Sequence, residues 1–303
     1  MAQTIAQIKA ERLTAVVRRR NLKKGLYLIP SLFTVANIGM GFFAAMMTLH
    51  GFQLLGKTDE IEITRSVAYF DAAAKAIGWA VLFDSLDGRI ARMTKTTTEI
   101  GVQLDSIADM LTFGIAPAML VYAWSYGSVF NENTTAHNLG WFFSFMFVIC
   151  GAFRLARFSV QALRPRPLAE GKVKVDKKSF IGLPIPAAAG LLGAIIHFAP
   201  SPLVQYESAK SIFYSGATMF LVAALSLLMV STIRYTSFKS IGESARSTRL
   251  ALVAVAGLVM LIWLFSQEVL LAVAAIYVAH GIVLYLFSIF RRKPNKPIAL
   301  PQT

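Results

Sequence analysis

Long apolar runs separated by short polar stretches make up most of the 303-residue chain. Each run is about 20 residues long, which matches the hydrocarbon thickness of a bilayer, where helices satisfy their own backbone hydrogen bonds. We count about eight runs, at 26–50, 66–86, 103–126, 139–157, 181–199, 212–232, 249–267 and 269–290. The last two are separated by little more than Ser266-Gln267-Glu268, which predicts a tight helical hairpin. The pattern therefore predicts an all-α fold, a polytopic membrane helical bundle of about eight transmembrane helices.

The polar stretches between the runs are too short for a second soluble domain. We expect a basic N-terminal segment at 1–25, a transmembrane domain at 26–290 and a basic tail at 291–303. The N-terminal segment is either an amphipathic helix on an anionic leaflet or a solvated anchor that sets topology. From its polar, basic composition we expect no cleavable signal peptide, and the lone Cys150 excludes a disulfide framework.

The distribution of charge along the chain predicts how the bundle is oriented in the membrane. The chain is 56% hydrophobic and only 15% charged, yet its net charge is +14. In a soluble protein that excess would suggest nucleic acid, but here Lys and Arg cluster in alternate loops, as the positive-inside rule describes. Every Lys and Arg falls on one predicted side except Lys57, Arg65, Lys75 and Lys210. The distribution predicts an inner-membrane protein with both termini in the cytoplasm and no nucleic-acid partner.

Four aspartates lie at the ends of two neighbouring runs. Asp84 and Asp87 are three residues apart at the end of the second run, and Asp105 and Asp109 are four apart at the start of the third. Each spacing places its pair on one helix face. A loop of about 15 residues joins the two antiparallel spans, so we expect all four carboxylates to converge. That face lies on the cytoplasmic side.

Clustered carboxylates in an apolar setting require a cation or another source of neutralisation. Oxygen ligands without His or Cys favour Mg²⁺, Mn²⁺ or Ca²⁺, and four can hold one or two ions while leaving positions open for substrate phosphates. Gly88, Ala91 and Gly101 leave space for a ligand to approach the backbone, and Arg92 offers a phosphate donor. The alternative is that the aspartates reach water at the helix ends and pair with nearby arginines.

Two further polar pairs lie near this face. Thr34 and Asn37, on the first run, either reach a nucleotide or form interhelical hydrogen bonds. Arg154 and Arg157, at the end of the fourth run, either bind an acceptor carboxylate or phosphate, or extend to lipid headgroups.

Ionisable groups elsewhere in the runs have simpler interpretations. Asp71 and Lys75, four residues apart in the second run, predict a mutual ion pair. The four histidines show no ligand spacing, and we assign them no role. A cation transporter would place its carboxylates near mid-membrane between broken helices. The position of the four aspartates at helix ends, among arginines, suits phosphate chemistry better.

The aspartates belong to a longer pattern, Asp84-x2-Asp87-Gly88-x2-Ala91-Arg92-x8-Gly101-x3-Asp105-x3-Asp109. This pattern resembles the signature of the CDP-alcohol phosphotransferase family of integral membrane enzymes. The resemblance implies that Asp84, Asp87, Asp105 and Asp109 bind metal and that Asp109 is also the general base. It implies a CDP-binding wall at Gly88, Ala91 and Arg92, to which we add Thr34, Asn37 and Gly101 as candidates.

Four other segments are similar to the membrane-embedded type of phosphatidylserine synthase in that family, beginning at 29, 104, 150 and 180. This similarity implies CDP-diacylglycerol as donor, L-serine as acceptor, Mn²⁺ or Mg²⁺ as cofactor, and a homodimer within membrane lipid. Glycerol 3-phosphate or inositol phosphate as acceptor, or an archaeal-type lipid donor, remain alternatives. The similarity assigns no role to the C-terminal third.

Overall fold

The computed structural model of the chain describes residues 32–57, 59–94, 99–163, 179–236 and 245–290. The predicted N-terminal segment and C-terminal tail therefore lie outside the described residues. The described part contains α-helices and two short strands: α1 (Leu32–Gln53), α2 (Glu60–Thr94), α3 (Glu99–Asp109), α4 (Ala116–Trp124), α5 (Tyr126–Val129), α6 (Thr135–Leu163), β1 (Ser179–Ile181), α7 (Ile185–Phe198), α8 (Ser208–Val230), β2 (Arg234–Thr236), α9 (Ala245–Leu264) and α10 (Ser266–Phe290). A π-helix (Met110–Ile115) connects α3 to α4, and a 3₁₀-helix (Leu203–Gln205) precedes α8.

Seven segments of the described residues are long and apolar enough to cross a membrane. They confirm an all-α polytopic bundle and match seven of the predicted runs. In the eighth run, 249–267, the structure describes an apolar helical stretch, Val255–Leu264, within α9.

Helices α1 and α2 pack antiparallel along their length. At one end the rings of Phe33 and Phe83 lie 6.5 Å apart. At the other, Ser66 Oγ donates a hydrogen bond to the carbonyl of Gly51 at 3.1 Å. The end that contains Phe83, and with it the neighbouring Asp84, is called the aspartate end below.

Small residues let α7 approach α2 closely. Ala73, Ala74 and Ala80 of α2 are buried, and a Cβ added at Gly193 of α7 would lie 3.4 Å from the carbonyl oxygen of Ala74. Close backbone approach between small residues is how membrane helices gain van der Waals contact. The α2–α7 pair therefore forms a rigid core that holds the aspartate end of α2 in place.

The connection between α2 and α3 is shorter than predicted. Instead of a loop of about 15 residues, α2 continues to Thr94 and α3 begins at Glu99. Helix is favoured here because the connection contains neither proline nor a glycine pair. Residues 95–98 lie outside the described part.

A two-stranded antiparallel sheet, which the all-α prediction did not include, lies at the aspartate end. Its register pairs Phe180 of β1 with Tyr235 of β2. Gly182, at φ +81°, follows β1 and donates its N–H to the carbonyl of Ile233 at 2.8 Å. The sheet thus joins the residues before α7 to those after α8.

Candidate metal centre and nucleotide site

Three of the four signature aspartates meet at the aspartate end. One carboxylate oxygen each from Asp84, Asp105 and Asp109 lies within 4.8 Å of the other two. Asp84 comes from α2, while Asp105 and Asp109 share one face of α3. The helical spacing therefore produced the predicted convergence for these three carboxylates.

Asp87 lies beside this cluster and is held by α1. Its side chain is only 7% exposed, and its Oδ2 accepts a hydrogen bond of 2.6 Å from Thr34 Oγ1. Asp87 is also close enough to Asp105 for their charges to interact. Thr34 thus makes the interhelical hydrogen bond that was the alternative to a nucleotide contact.

Asn37 and Gly41 fix α1 against the π-helix that begins one residue after Asp109. The carbonyl of Asn37 accepts a hydrogen bond from Thr112 Oγ1 at 3.0 Å. A Cβ added at Gly41 would lie 2.8 Å from Thr112 Cα, closer than real side chains pack. The Asn37 side chain is 1% exposed, and its Oδ1 has no hydrogen-bond partner among the described residues. That oxygen is available to a ligand.

Asp109 and Arg154 bring unsatisfied polar atoms to the same place. Asp109 Oδ1 and Arg154 Nε are both buried, and neither has a hydrogen-bond partner in the described part of the chain. The two groups are close enough for their charges to interact. Buried polar atoms without partners are rare in folded proteins, so this pair points to a ligand or ion.

Arg157 is bonded to the end of α8. Its Nη1 donates to the carbonyl of Val230 at 3.3 Å, in the last turn of α8. A cation stabilises the exposed carbonyls at a helix C-terminus. The structure therefore places Arg154 near Asp109 and bonds Arg157 to the end of α8, with the two arginines close enough for their charges to interact.

Among the remaining predicted CDP-binding residues, the structure describes the positions of two glycines. Gly88 follows Asp87 in α2, and Gly101 lies in the first turn of α3. The side chains of Ala91 and Arg92 lie outside the described part of the structure. Their contribution to a CDP-binding wall stays a prediction.

The donor set fits a hard divalent cation. Asp84, Asp105 and Asp109 would supply oxygen ligands from two helices, and the Oδ1 of Asp109, buried and without a partner among the described residues, would leave a position to fill. Carboxylates alone, without His or Cys, suit Mg²⁺ or Mn²⁺. Asp87 is adjacent and would help to neutralise the ion.

Sequence reasoning missed a polar network at the opposite end of the bundle. The predicted ion pair is confirmed, with Lys75 Nζ 2.6 Å from Asp71 Oδ2. Asp71 also contacts His197 Nδ1 at 2.5 Å, and His197 Nε2 lies 3.0 Å from Ser266 Oγ. The sequence contains no spacing signal for this network, because Asp71 lies in α2, His197 in α7 and Ser266 in α10. The network lies far from the aspartate cluster along α2.

Comparison with known proteins agrees with this geometry. Residues 27–230 match the CDP-alcohol phosphatidyltransferase family. The chain belongs to this family. The match contains every signature aspartate and both arginines near the site. It ends before β2, α9 and α10.

Relatives extend the similarity further along the chain. A Helicobacter pylori protein named CDP-diacylglycerol--serine O-phosphatidyltransferase is 31% identical over 275 residues, covering 89% of this chain and 96% of that protein. A Methanocaldococcus jannaschii protein of the same name is 32% identical over 210 residues, covering 68% of this chain and 81% of that protein. An archaetidylserine synthase from Methanothermobacter thermautotrophicus is 28% identical over 218 residues, covering 71% of this chain and 72% of that protein.

Proposed function

We propose that this protein transfers the phosphatidyl group of CDP-diacylglycerol to the hydroxyl of L-serine, releasing phosphatidylserine and CMP. The observation that carries the proposal is the cluster of Asp84, Asp105 and Asp109, in which Asp109 keeps a buried, unpartnered oxygen. The serine acceptor is supported by the names of the relatives from Helicobacter pylori and Methanocaldococcus jannaschii.

The reaction needs one proton acceptor and one place for developing negative charge. The serine hydroxyl oxygen forms a bond to the phosphorus that stays with the lipid, and the bond from that phosphorus to the CMP oxygen breaks. CMP leaves with the bonding electrons as a phosphate monoester. Asp109 takes the proton from the serine hydroxyl, which is general-base catalysis by a positioned carboxylate.

The chain's own residues position the reactants. Asp84, Asp105 and Asp109 would hold Mg²⁺ or Mn²⁺, with Asp87 beside them, and the ion would neutralise the diphosphate when bound. Thr34 holds Asp87 in place through its 2.6 Å hydrogen bond. Arg154 keeps positive charge near Asp109, where an anionic substrate group would enter.

We also propose that the aspartate end faces the cytoplasm of an inner membrane. The support is the clustering of Lys and Arg in the loops on that side. The homodimer stays a prediction, which light scattering on the purified protein would test.

The decisive experiment measures CMP release by purified protein in detergent with CDP-diacylglycerol and Mn²⁺. Serine, glycerol 3-phosphate and inositol phosphate are supplied separately, and a parallel series replaces the donor with CDP-archaeol. We expect CMP with serine and CDP-diacylglycerol, loss of activity with EDTA, and recovery when Mn²⁺ or Mg²⁺ is returned.

Each other outcome overturns a defined part of the proposal. Release with a different acceptor would retain the site and refute serine. Release only from CDP-archaeol would refute the diacylglycerol donor. Absence of release with every pair, from protein that still binds Mn²⁺, would refute the transferase and favour a cation-binding role.

A further inference from the structure

An apolar cavity lies in the half of the bundle away from the aspartate end. It has a volume of about 440 Å³ and lies between α1, α4 and α6, with Ile115 of the π-helix also in its wall. All of its lining residues belong to membrane-length segments. Along α1 it begins at Thr48, about 21 Å beyond Thr34 at the rise of an α-helix. The cavity is therefore separate from the metal centre, and the proposed reaction gives it no role.

Small residues on α4 make room for this cavity. Ala118 and Ala123 line it and are both buried. On the α6 side the rings of Trp141 and Phe145 stack almost parallel, with centroids 5.8 Å apart and an interplanar angle of 8°, and so present a flat wall. Sites for small molecules typically have volumes of about 300–1,000 Å³ and mainly apolar and aromatic linings. The cavity has the size and the lining of such a site.

The cavity opens sideways, between α1 and α6. Leu49 and Phe52 of α1 and Trp141 and Phe145 of α6 line it and are exposed on the surface of the described bundle. Because these residues belong to membrane-length segments, the medium outside the opening is lipid hydrocarbon. A molecule that enters the cavity therefore comes from the lipid phase.

The hydroxyl groups in the lining are already hydrogen-bonded. Thr48 Oγ1 donates to a carbonyl of its own helix at 2.8 Å. Tyr122 OH lies 3.1 Å from His137 Nε2, and Ser144 Oγ lies 2.6 Å from Tyr126 OH. A water in a cavity needs two to four polar partners, and apolar cavities stay dry. The lining thus offers an occupant apolar contact and no hydroxyl that lacks a partner.

We propose that this cavity binds one hydrocarbon chain of a membrane lipid. The chain enters between α1 and α6, crosses Ala118 and packs against the stacked rings of Trp141 and Phe145. Close-packed walls give it dispersion contacts that a chain in the surrounding lipid makes less well. Because the hydroxyls of the lining are engaged, the cavity selects the chain and not the headgroup. This binding is independent of the proposed reaction, and it holds α1 and α6 against α4.

Quenching of tryptophan fluorescence by lipids with brominated chains tests this proposal, because bromine quenches on contact and Trp141 lies in the wall. Trp79→Phe together with Trp263→Phe leaves Trp141 as the exposed reporter. Trp79→Phe together with Trp141→Phe leaves Trp263, which is 88% exposed on α9 and does not line the cavity. Trp124 is buried and stays in both variants.

Each reporter protein in dodecyl maltoside is titrated with brominated phosphatidylglycerol and, separately, with brominated phosphatidylethanolamine. Half of the Trp141 quenching should occur at a lipid-to-detergent ratio about 10-fold lower than for Trp263, since roughly ten additional atom contacts are worth about that factor. The two headgroups should give the same curves. Ala118→Phe fills the cavity and should shift the Trp141 curve to that of Trp263.

Equal quenching of Trp141 and Trp263, or a Trp141 curve that Ala118→Phe leaves unchanged, would overturn the proposal. A curve that depends on the headgroup would also overturn it, because it would show polar recognition. Resistance of Trp141 to both lipids would do the same, and a disulfide between two copies of Trp141→Cys in a Cys150→Ala background would then show that a second copy covers the opening. Thermal unfolding identifies a misfolded variant, and Ala118→Leu, which adds less volume, then repeats the comparison.

Discussion

Asp84 and Asp109 share one cluster but differ in what surrounds them. Asp109 has a buried, unpartnered oxygen next to Arg154, whereas Asp84 and Asp105 complete the oxygen cluster. This difference predicts separable effects of substitution. Asp109→Asn should reduce CMP release by about 10²-fold or more, because an amide cannot accept the serine proton. Mn²⁺ affinity, measured by electron paramagnetic resonance, should fall much less.

Asp84→Asn gives the contrasting result, with weaker Mn²⁺ binding and activity that recovers in part at high Mn²⁺. Glu207→Gln removes an exposed carboxylate at the opposite end and is the control. Near-normal turnover in Asp109→Asn would refute its assignment as the general base.

We expect Thr34 to influence metal binding through Asp87. Its hydroxyl donates to Asp87 Oδ2 at 2.6 Å, so Thr34→Val would leave a buried carboxylate with one donor fewer. Hydrogen bonds that orient carboxylates near metals typically change metal affinity about 10-fold or more when removed. We expect the Mn²⁺ concentration for half-maximal activity to rise by this factor, and Thr34→Ser to restore it.

Thr48→Val is the matched control for that measurement. Thr48 is also buried in α1, but its hydroxyl bonds the carbonyl of Ala44 within its own helix. If the Mn²⁺ concentration for half-maximal activity rose equally in both valine variants, the effect would come from α1 as a whole and not from the bond to Asp87.

For individual residues, the sequence predicted which aspartates lie together, and it did not predict the hydrogen-bond partners of the site residues. Helical spacing is enough to bring Asp105 and Asp109 onto one face. The hydrogen bonds from Thr34 to Asp87 and from Arg157 to Val230 depend on how four helices pack. Single-chain periodicity carries no information about such contacts.

Among the elements, the position of α1 depends on Gly41 and not on the nearby Gly39. Gly41 faces Thr112 so closely that a Cβ would meet backbone, whereas an added Cβ at Gly39 has nothing within 4 Å. Gly41→Ala should push α1 from the π-helix, at a cost of about 1–3 kcal/mol for overpacking. It should lower the unfolding temperature and weaken CDP binding, since Asn37 and Thr34 move with α1.

Gly39→Ala provides the control within the same helix. It should leave the unfolding temperature unchanged or slightly higher, because alanine is the better helix former. Unfolding followed by circular dichroism in detergent measures both variants. Equal behaviour of the two would contradict the close packing of α1 on Thr112.

The opposite end of the bundle depends on His197. It joins Asp71 of α2 to Ser266 at the start of α10, so His197→Ala breaks two interhelical contacts. Interhelical hydrogen bonds in membranes contribute about 0.6 kcal/mol on average and up to about 1.7 kcal/mol. We expect a lower unfolding temperature with CMP release retained at low temperature. His280→Ala, at an exposed position of α10, should change neither.

The elements were predictable where hydrophobicity alone decides them. Seven apolar runs became membrane-length helices because lipid requires internally bonded backbone. The β1–β2 pair was not predictable, since three-residue strands separated by two helices leave no periodicity to detect. The extension of α2 to Thr94 was missed because polar residues were interpreted as loop.

For the whole molecule, the asymmetry of Lys and Arg supports the proposal that the aspartate end faces the cytoplasm. With Cys150→Ala as background, Lys57→Cys places an exposed thiol at the opposite end from the site, and Thr232→Cys places one at the aspartate end. In intact cells an impermeant maleimide should label position 57 alone, and permeabilised cells should show both. The reverse pattern would refute the proposed orientation.

At this scale, composition was sufficient for the class of protein, because burial in lipid follows from solvent preference, whereas the orientation stays a prediction. The contribution of the C-terminal third was not visible in the sequence. Tyr235 and Tyr277 lie 42 positions apart in elements of ordinary appearance, and their rings stack only in the folded chain, where Tyr235 also lies against Gly281.

The small sheet also closes part of the chain into a ring. Because β1 precedes α7 and β2 follows α8, backbone hydrogen bonds join the two ends of one helical hairpin at the aspartate end. Within that ring, the turn between α7 and α8 is the covalent link farthest from the chemistry. Because the sheet holds the two ends together without that turn, we expect a chain cut there to assemble as complementary fragments.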